Sequence, residues 1–280
     1  MDASRPLSAG HAILVLGMHR SGTSALARTL ALCGAGLPAT LFPAVPGDND
    51  AGYWESSEVI DFHQRLLWHL GTGMLDPTLP AEGWLATPIG RWALDEAIAI
   101  ASREWGTHPT WVVKEPRMCR LLPLWIEALR TLGRATVAVH GLREPAEVAA
   151  SLARRDGMER DRVELLWLQH VAAAERDTRG LPRVFVRYDD LLADWRSVVG
   201  RVATLLPEGT LEPDAAAIEG FLDPGLRRQR RPADPPIAQP VRALRDELLA
   251  AATQGREPQS EIVDEAWSAA CSGLTTGSLR

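Results

Sequence analysis

The sequence predicts an α/β protein built on a parallel β-sheet, and three observations carry that expectation. Short aliphatic or β-branched runs at 12–16, 110–113, 135–139 and 183–188 read as strands buried on both faces, since such strands show near-continuous apolar runs. Helical patterning separates each run from the next, the alternation that produces parallel strands joined by crossover helices. The first run leads directly into a glycine-bounded turn, GMHRSGTS over 17–24, and then into a small-residue helix. With 280 residues and 46% apolar content the chain can bury one sizeable core. No linker forces a second domain, so 1–280 is expected as a single unit.

The elements follow in order. A helix should run from about 22 to 33 and stop near Gly34 and Gly36. The next opens at Ser56 or Ser57, with Val59, Phe62, Leu66, Leu67 and Leu70 at helical spacing. Residues 89–103 carry Trp92, Ala93, Ile98 and Ala101, and residues 121–132 carry Leu122, Trp125, Ile126 and Leu129, both as helical stripes. Pro145 suits the first turn of a helix reaching about 155. Val163, Leu166, Trp167, His170, Val171 and Ala174 stripe another. Residues 190–205, 240–252 and 260–270 are expected as three more, and the last residues, TTGSLR, as frayed. The Gly/Pro-rich stretches 38–52 and 71–88 read as loops above the strand ends, where ligands bind in α/β proteins. Residues 221–232, FLDPGLRRQRRP, place four arginines in a proline-bounded loop.

Composition excludes several classes. The formal net charge of −6 gives no basic signature for nucleic acid. No apolar run approaches membrane-spanning length. The opening MDASRPLSAG lacks the basic start and apolar stretch of a secretory signal, so a cytoplasmic protein is expected. Cys33, Cys119 and Cys271 are scattered and form no metal-ligand pattern. The ten tryptophans fall mostly at helical spacing beside leucines, as core or groove residues would.

The turn at 17–24 has the spacing G-x-x-x-x-G-T-S. Its glycines let successive backbone N–H groups converge, and the following helix adds its positive end, so a phosphate is expected there. Arg20, Ser21, Thr23 and Ser24 add side-chain donors. Thr23 stands where a nucleotide-hydrolysing loop needs lysine, and no strand clearly ends in a magnesium-holding carboxylate. A metal-dependent triphosphate reaction is therefore disfavoured, and no metal site is expected.

Two further basic motifs follow strands. TWVVKEPR, 110–117, puts Lys114 at the reactive end of a strand, with Arg117 expected in the same crevice and Glu115 as the salt-bridge partner of both cations. HGLREPAEVAASL, 140–152, places Arg143 after a strand and Ser151 two turns into a helix, where the two can bracket one ligand group. The arginines of 227–231 fit either closure over the same anion or a solvated turn.

Together GMHRSGTS, WVVKEPRM and LREPAEVAASL resemble the nucleotide-binding signatures of sulfotransferases that use 3′-phosphoadenosine-5′-phosphosulfate (PAPS), in particular the bacterial soluble branch. YDDL at 188–191 and the arginine loop are similar to family features and occur in the same order. The resemblance implies a three-layer fold like that of P-loop nucleotide kinases, a central parallel sheet flanked by helices. It implies that Arg20, Ser21, Gly22, Thr23 and Ser24 hold the 5′-phosphate, Arg143 and Ser151 the 3′-phosphate, and that Tyr188 approaches adenine. Arg227 and Arg228 would complete the 3′-phosphate site in a cofactor loop spanning 221–240, while 38–108 forms a variable helical and loop cap. The product would be 3′,5′-ADP, with Arg20 and Lys114 stabilising the leaving oxygen.

Many relatives place a catalytic histidine two residues after the lysine of the second motif, where this chain has Pro116. Another base is needed, and Glu55, at the start of a helix and beside Trp54, is the leading candidate. His63 and His19 are alternatives. The implied acceptor is a small molecule, lipid or carbohydrate hydroxyl, less readily an amine, and Trp54, Trp68, Trp84 and Trp92 could line its groove or fill a core. An ATP-dependent kinase and a non-catalytic nucleotide-binding protein are the competing readings. Neither the acceptor's identity nor the oligomeric state is legible.

Overall fold

The computed structural model describes residues 10–222 and 237–276. Strands β1 (Gly10–Leu16), β2 (Thr110–Lys114), β3 (Arg134–Leu142) and β4 (Arg183–Arg187) form one sheet in the order β2-β1-β3-β4, with every neighbouring pair parallel. The four coincide with the expected runs. β3 continues past 139 to Leu142, and Tyr188, expected at the end of the fourth run, instead opens a helix. Because β2 and β3 lie on opposite sides of β1, the connections diverge beside the carboxyl end of β1. Such a switch point leaves a crevice for ligands.

The helices are α1 (Thr23–Ala31), α2 (Ser57–His69), α3 (Pro88–Trp105), α4 (Leu122–Thr131), α5 (Pro145–Asp156), α6 (Arg160–Asp177), α7 (Tyr188–Ala193), α8 (Trp195–Ala203), α9 (Ala215–Phe221), α10 (Gln239–Gln254) and α11 (Ser260–Thr276). Local chemistry sets their starts. Ser56 accepts from the Val59 amide to cap α2, and Thr87 accepts from that of Gly90 to cap α3, whose first residue is proline. Residues 190–205, expected as one helix, break at Asp194, which leaves helical geometry at φ −149° and ψ 74° and caps α8 through Ser197 N.

Strand alternation divides the core into layers. Ala12, Leu14 and Leu16 of β1, with Trp111 and Val113 of β2, pack with α2, α3 and α4. Ile13 and Val15, with Val112, Val137 and Val139, pack with α1, α7, α8 and α9. A third cluster joins α5, α6, α10 and α11. The sheet is thus central and flanked by helices. Within 38–108, the span expected to cap the site, α2 and α3 are part of the layer against β1 and β2. The loop before α2 borders the ligand crevice. Among the described residues no helix is long and apolar enough to cross a membrane. Arg227 and Arg228, with the rest of 223–236, lie outside the described residues.

Candidate active site

The segments following β1, β2 and β3 open on one cavity of about 730 Å³. After β1 the backbone turns left-handed at Gly22, φ 84°, which begins α1 with no side chain capping the helix's first amides. Those amides and the positive end of the helix border the cavity, where an anion is favoured. A Cβ on Gly22 would fall 2.2 Å from Cδ2 of Tyr188, so glycine is required both by the backbone and by the ring lying against it. Arg20 also has a left-handed backbone, φ 68°, an uncommon and strained state for a residue with a side chain. Its guanidinium crosses the cavity, donating from Nε to Ser151 Oγ at 2.9 Å and from Nη1 to Asp48 Oδ1 at 2.9 Å.

Lys114 closes β2 and is the only lysine of the sequence; every other strongly basic side chain is arginine. Its Nζ donates to Glu55 Oε1 at 3.0 Å, to Tyr53 O at 3.1 Å and to Ser24 Oγ at 3.2 Å. A compact ammonium makes three bonds in separate directions, which the planar fork of a guanidinium does not match. Glu55 is itself 6% exposed. Burial pushes its carboxyl above the ordinary range, with Lys114 opposing.

Arg117 and Glu115 depart from the expected arrangement. Alternation along the strand turns Glu115 away from Lys114. It binds Arg117 Nε at 2.9 Å and His63 Nδ1, while Arg117 donates to Ile60 O at 3.2 Å. Neither borders the cavity, and Glu115 serves Arg117 alone of the two cations proposed for it. His63, an alternative base, is fully buried; its Nδ1–H faces Glu115 and its Nε2 accepts from Trp125 Nε1 at 2.7 Å. Burial holds its imidazole below the usual pKa. It is a core residue outside the cavity. His19 does border the cavity, and burial, then His170, holds its pKa well below the ordinary value, so the ring is neutral.

From the third motif, Arg143 donates from Nε to Glu147 Oε2 at 2.9 Å and from Nη1 to Arg20 O at 2.9 Å, and its guanidinium lies 5.1 Å from the Tyr188 ring centre. Arg143, Ser151 and Tyr188 all border the cavity. Trp54, expected to dehydrate Glu55, turns its ring to Phe221 and beneath Arg28, whose guanidinium is 4.2 Å from the ring centre. None of Trp54, Trp68, Trp84 and Trp92 lines the cavity, and Trp68 is largely exposed.

Sequence reasoning missed Asp48, Tyr53, Arg154 and Arg155, which line the same space. Arg154 and Arg155 follow Ser151 on α5, one helical turn on, a spacing that marks a shared face. Asp48 and Tyr53 sit in irregular chain with no comparable signal. The cavity is bordered by five basic side chains (Arg20, Lys114, Arg143, Arg154, Arg155) and three carboxylates (Asp48, Asp50, Glu55), a balance of +2 in a chain of net −6. His19 Nε2, on the cavity's border, is buried with no hydrogen-bond partner among the described residues, as is Ser21 Oγ, although Ser21 does not line the cavity. No group of three or more His, Cys, Asp or Glu among those residues is arranged to hold a metal ion.

No protein-family model matches the chain, and no curated relative does. Among solved structures it is similar to the sulfotransferase domain from the Synechococcus PCC 7002 olefin synthase, at 18% identity and a TM-score of 0.45, over 96% of this chain and 97% of that one. It is also similar to the sulfotransferase domain from the curacin biosynthetic pathway, at 15% identity and a TM-score of 0.43, over 89% of this chain and 99% of that one.

Proposed function

We propose that this chain is a cytoplasmic sulfotransferase that moves the sulfonate of PAPS to a hydroxyl, less readily an amine, of a small molecule, lipid or carbohydrate. The observation that carries the reading is the convergence of Arg20, Lys114 and Arg143, each from a different motif, with Glu55 on one cavity. The positive balance of that cavity, the unpartnered His19 Nε2 on its border, and the uncapped start of α1 fit an anionic nucleotide. On this reading Arg20, Ser21, Gly22, Thr23 and Ser24 hold the 5′-phosphate. Arg143 and Ser151, with Arg227 and Arg228, hold the 3′-phosphate, and Tyr188 meets adenine. The frame is that of a P-loop nucleotide kinase without its loop lysine, and 38–108 shapes the acceptor side.

PAPS supplies an activated sulfonate with 3′,5′-ADP as leaving group. Arg20 and Lys114 stabilise the charge that develops on the leaving oxygen. Glu55 takes the proton of the acceptor hydroxyl onto its carboxylate. The two roles are linked through the 3.0 Å contact between Lys114 and Glu55. While the ammonium sits on the carboxylate, Glu55 is a weak base; withdrawn from it, burial makes Glu55 a stronger one.

A donor panel tests the proposal. The chain is incubated with PAPS or with ATP against chemically diverse acceptors, and products are read by mass spectrometry. PAPS consumption with sulfonate addition is the expected result. ATP consumption would establish the kinase reading instead, and nucleotide binding without turnover the non-catalytic one.

A further inference from the structure

The loop before α2 carries a carboxylate into the most basic part of the cavity. Asp48 accepts from Arg20 Nη1 at 2.9 Å, lies 3.7 Å from Arg155 Nη1, and accepts the Tyr53 hydroxyl. Two guanidiniums and a phenol therefore converge on one anionic group supplied by the chain itself. That donor set suits any oxyanion, because guanidinium forks and hydroxyls serve carboxylate, phosphate and sulfate alike. Asp48 is only partly buried, at 20% side-chain exposure, and it belongs to no helix or strand. The loop's own backbone closes it: Asp48 N and Asn49 N donate to Val45 O, Gly47 N to Asp50 Oδ1, and Gly52 N to Asn49 O, while two side-chain bonds, Asn49 Nδ2 to Ser24 Oγ at 3.5 Å and Lys114 Nζ to Tyr53 O at 3.1 Å, hold it to α1 and β2. Gly47 and Gly52, both left-handed at φ 81° and φ 91°, bracket it. Such a loop can move as a unit without breaking the sheet or the helices.

We propose that Arg20, Arg155 and the Tyr53 hydroxyl form an oxyanion subsite for a phosphate or sulfate group, and that Asp48 is its internal occupant, displaced when the ligand's anion enters. A bound oxyanion and the Asp48 carboxylate on the same donors would set like charges within hydrogen-bond reach, so one excludes the other. Asp48 keeps Arg20 paired in the empty site, adds a second carboxylate to the Arg155 guanidinium that Asp156 already binds at 2.7 Å, and lowers the apparent affinity for anions. The inference rests on the donor-binding reading only for the identity of the natural ligand.

The test is calorimetric titration of the wild type, Asp48→Asn and Asp48→Ala with inorganic phosphate and, separately, with 3′,5′-ADP. Asp48→Asn keeps an oxygen for Arg20 but removes the charge, and should bind inorganic phosphate about tenfold more tightly than the wild type. Arg155→Gln in the Asp48→Asn background should reverse the gain. In the wild type, saturating phosphate should raise hydrogen exchange at the amides of 47–53. Equal or weaker phosphate binding by both Asp48 variants, or unchanged exchange in that loop at saturation, overturns the proposal. A gain for phosphate in variants that ignore 3′,5′-ADP would keep the subsite and reject the donor reading. Binding of 3′,5′-ADP with no gain for either ligand would do the reverse.

Discussion

Lys114→Met tests the buried ion pair at the centre of the site. The substitution keeps the apolar body of the stem and removes the charge together with its hydrogen bonds to Glu55, Tyr53 O and Ser24 Oγ. The side chains of Lys114 and Glu55 are 2% and 7% exposed, so water cannot replace the lost partner. Leaving one member of such a pair charged costs about 3–5 kcal/mol. Glu55 has a way out, which is to take a proton. For a carboxyl of ordinary pKa 4.5, protonation at about pH 7 costs about 3 kcal/mol, from roughly 1.4 kcal/mol per unit. That sets the pH-dependent part of the loss expected at neutral pH. The sign follows from linkage. Burial already raises the Glu55 carboxyl in the folded chain, and losing Lys114 raises it further. The folded form then binds a proton that the unfolded form has released, so stability declines as pH rises above 4.5. Lys114→Met should lose about 3 kcal/mol more at about pH 7 than at about pH 5, on top of a pH-independent cost from the hydrogen bonds to Tyr53 O and Ser24 Oγ, measured by urea unfolding followed through tryptophan fluorescence. The double variant Lys114→Met/Glu55→Gln should recover most of the pH-dependent loss at about pH 7. An equal loss at both pH values, or a double variant no more stable than the single one, would refute the reasoning.

Four other outcomes are expected. Glu55→Gln should lower turnover by roughly 10²–10⁴ while leaving calorimetric affinity for 3′,5′-ADP intact, and near-normal turnover would remove Glu55 as the base. Arg143→Ala should weaken 3′,5′-ADP binding by about tenfold or more, through loss of a charged hydrogen-bonding group; unchanged affinity would take Arg143 out of the phosphate site. Gly22→Ala forces a left-handed alanine whose Cβ would meet Tyr188 at 2.2 Å, so it should cost about 2 kcal/mol or more and lower the melting temperature. Burial pushes the Glu115 carboxyl up, but Arg117 and then His63 overcome it and hold it at about 2. Its stabilising contribution is therefore complete above 4.5 and lost as pH falls towards about 2. Acid unfolding of Glu115→Gln should be shallower than that of the wild type across that window.

The sheet was legible because its strands are covered on both faces. Ile13, Leu14 and Val15 send side chains to opposite layers and are all apolar, so the run is continuous. β3 was read short because His140 interrupts its run. Only the tertiary structure accommodates that ring, with Nε2 on Thr178 Oγ1 at 3.0 Å and the face stacked on Phe185. The break between α7 and α8 did leave a signal, an aspartate three residues before Ser197, the spacing of an N-cap. The start of α9 left another, Asp214 accepting from Ala217 N. At Asp194 the local cap overrides an apolar stripe that could have continued.

The site divides along a physical line. Arg20, Lys114 and Arg143 were legible because each closes or follows a strand, and the parallel sheet aims the ends of β1, β2 and β3 at one place whatever else the chain does. Glu115 was rightly read as a partner of Arg117, but its pairing with Lys114 and the place of His63 at the site were misjudged although the periodicities that decide them are in the sequence. Period two places Glu115 opposite Lys114, and His63 lies four residues after Val59 and next to Phe62 on the buried stripe of α2. The acidic partners had no such guide. Asp48 occupies irregular chain, where side-chain direction is set by what the loop meets, not by any repeat. What it meets, Arg20 and Arg155, is assembled only when α5 packs beside the first loop. A cationic site on a parallel sheet can therefore be read from strand ends, whereas the anion that balances it, carried on a loop, becomes visible only in the fold.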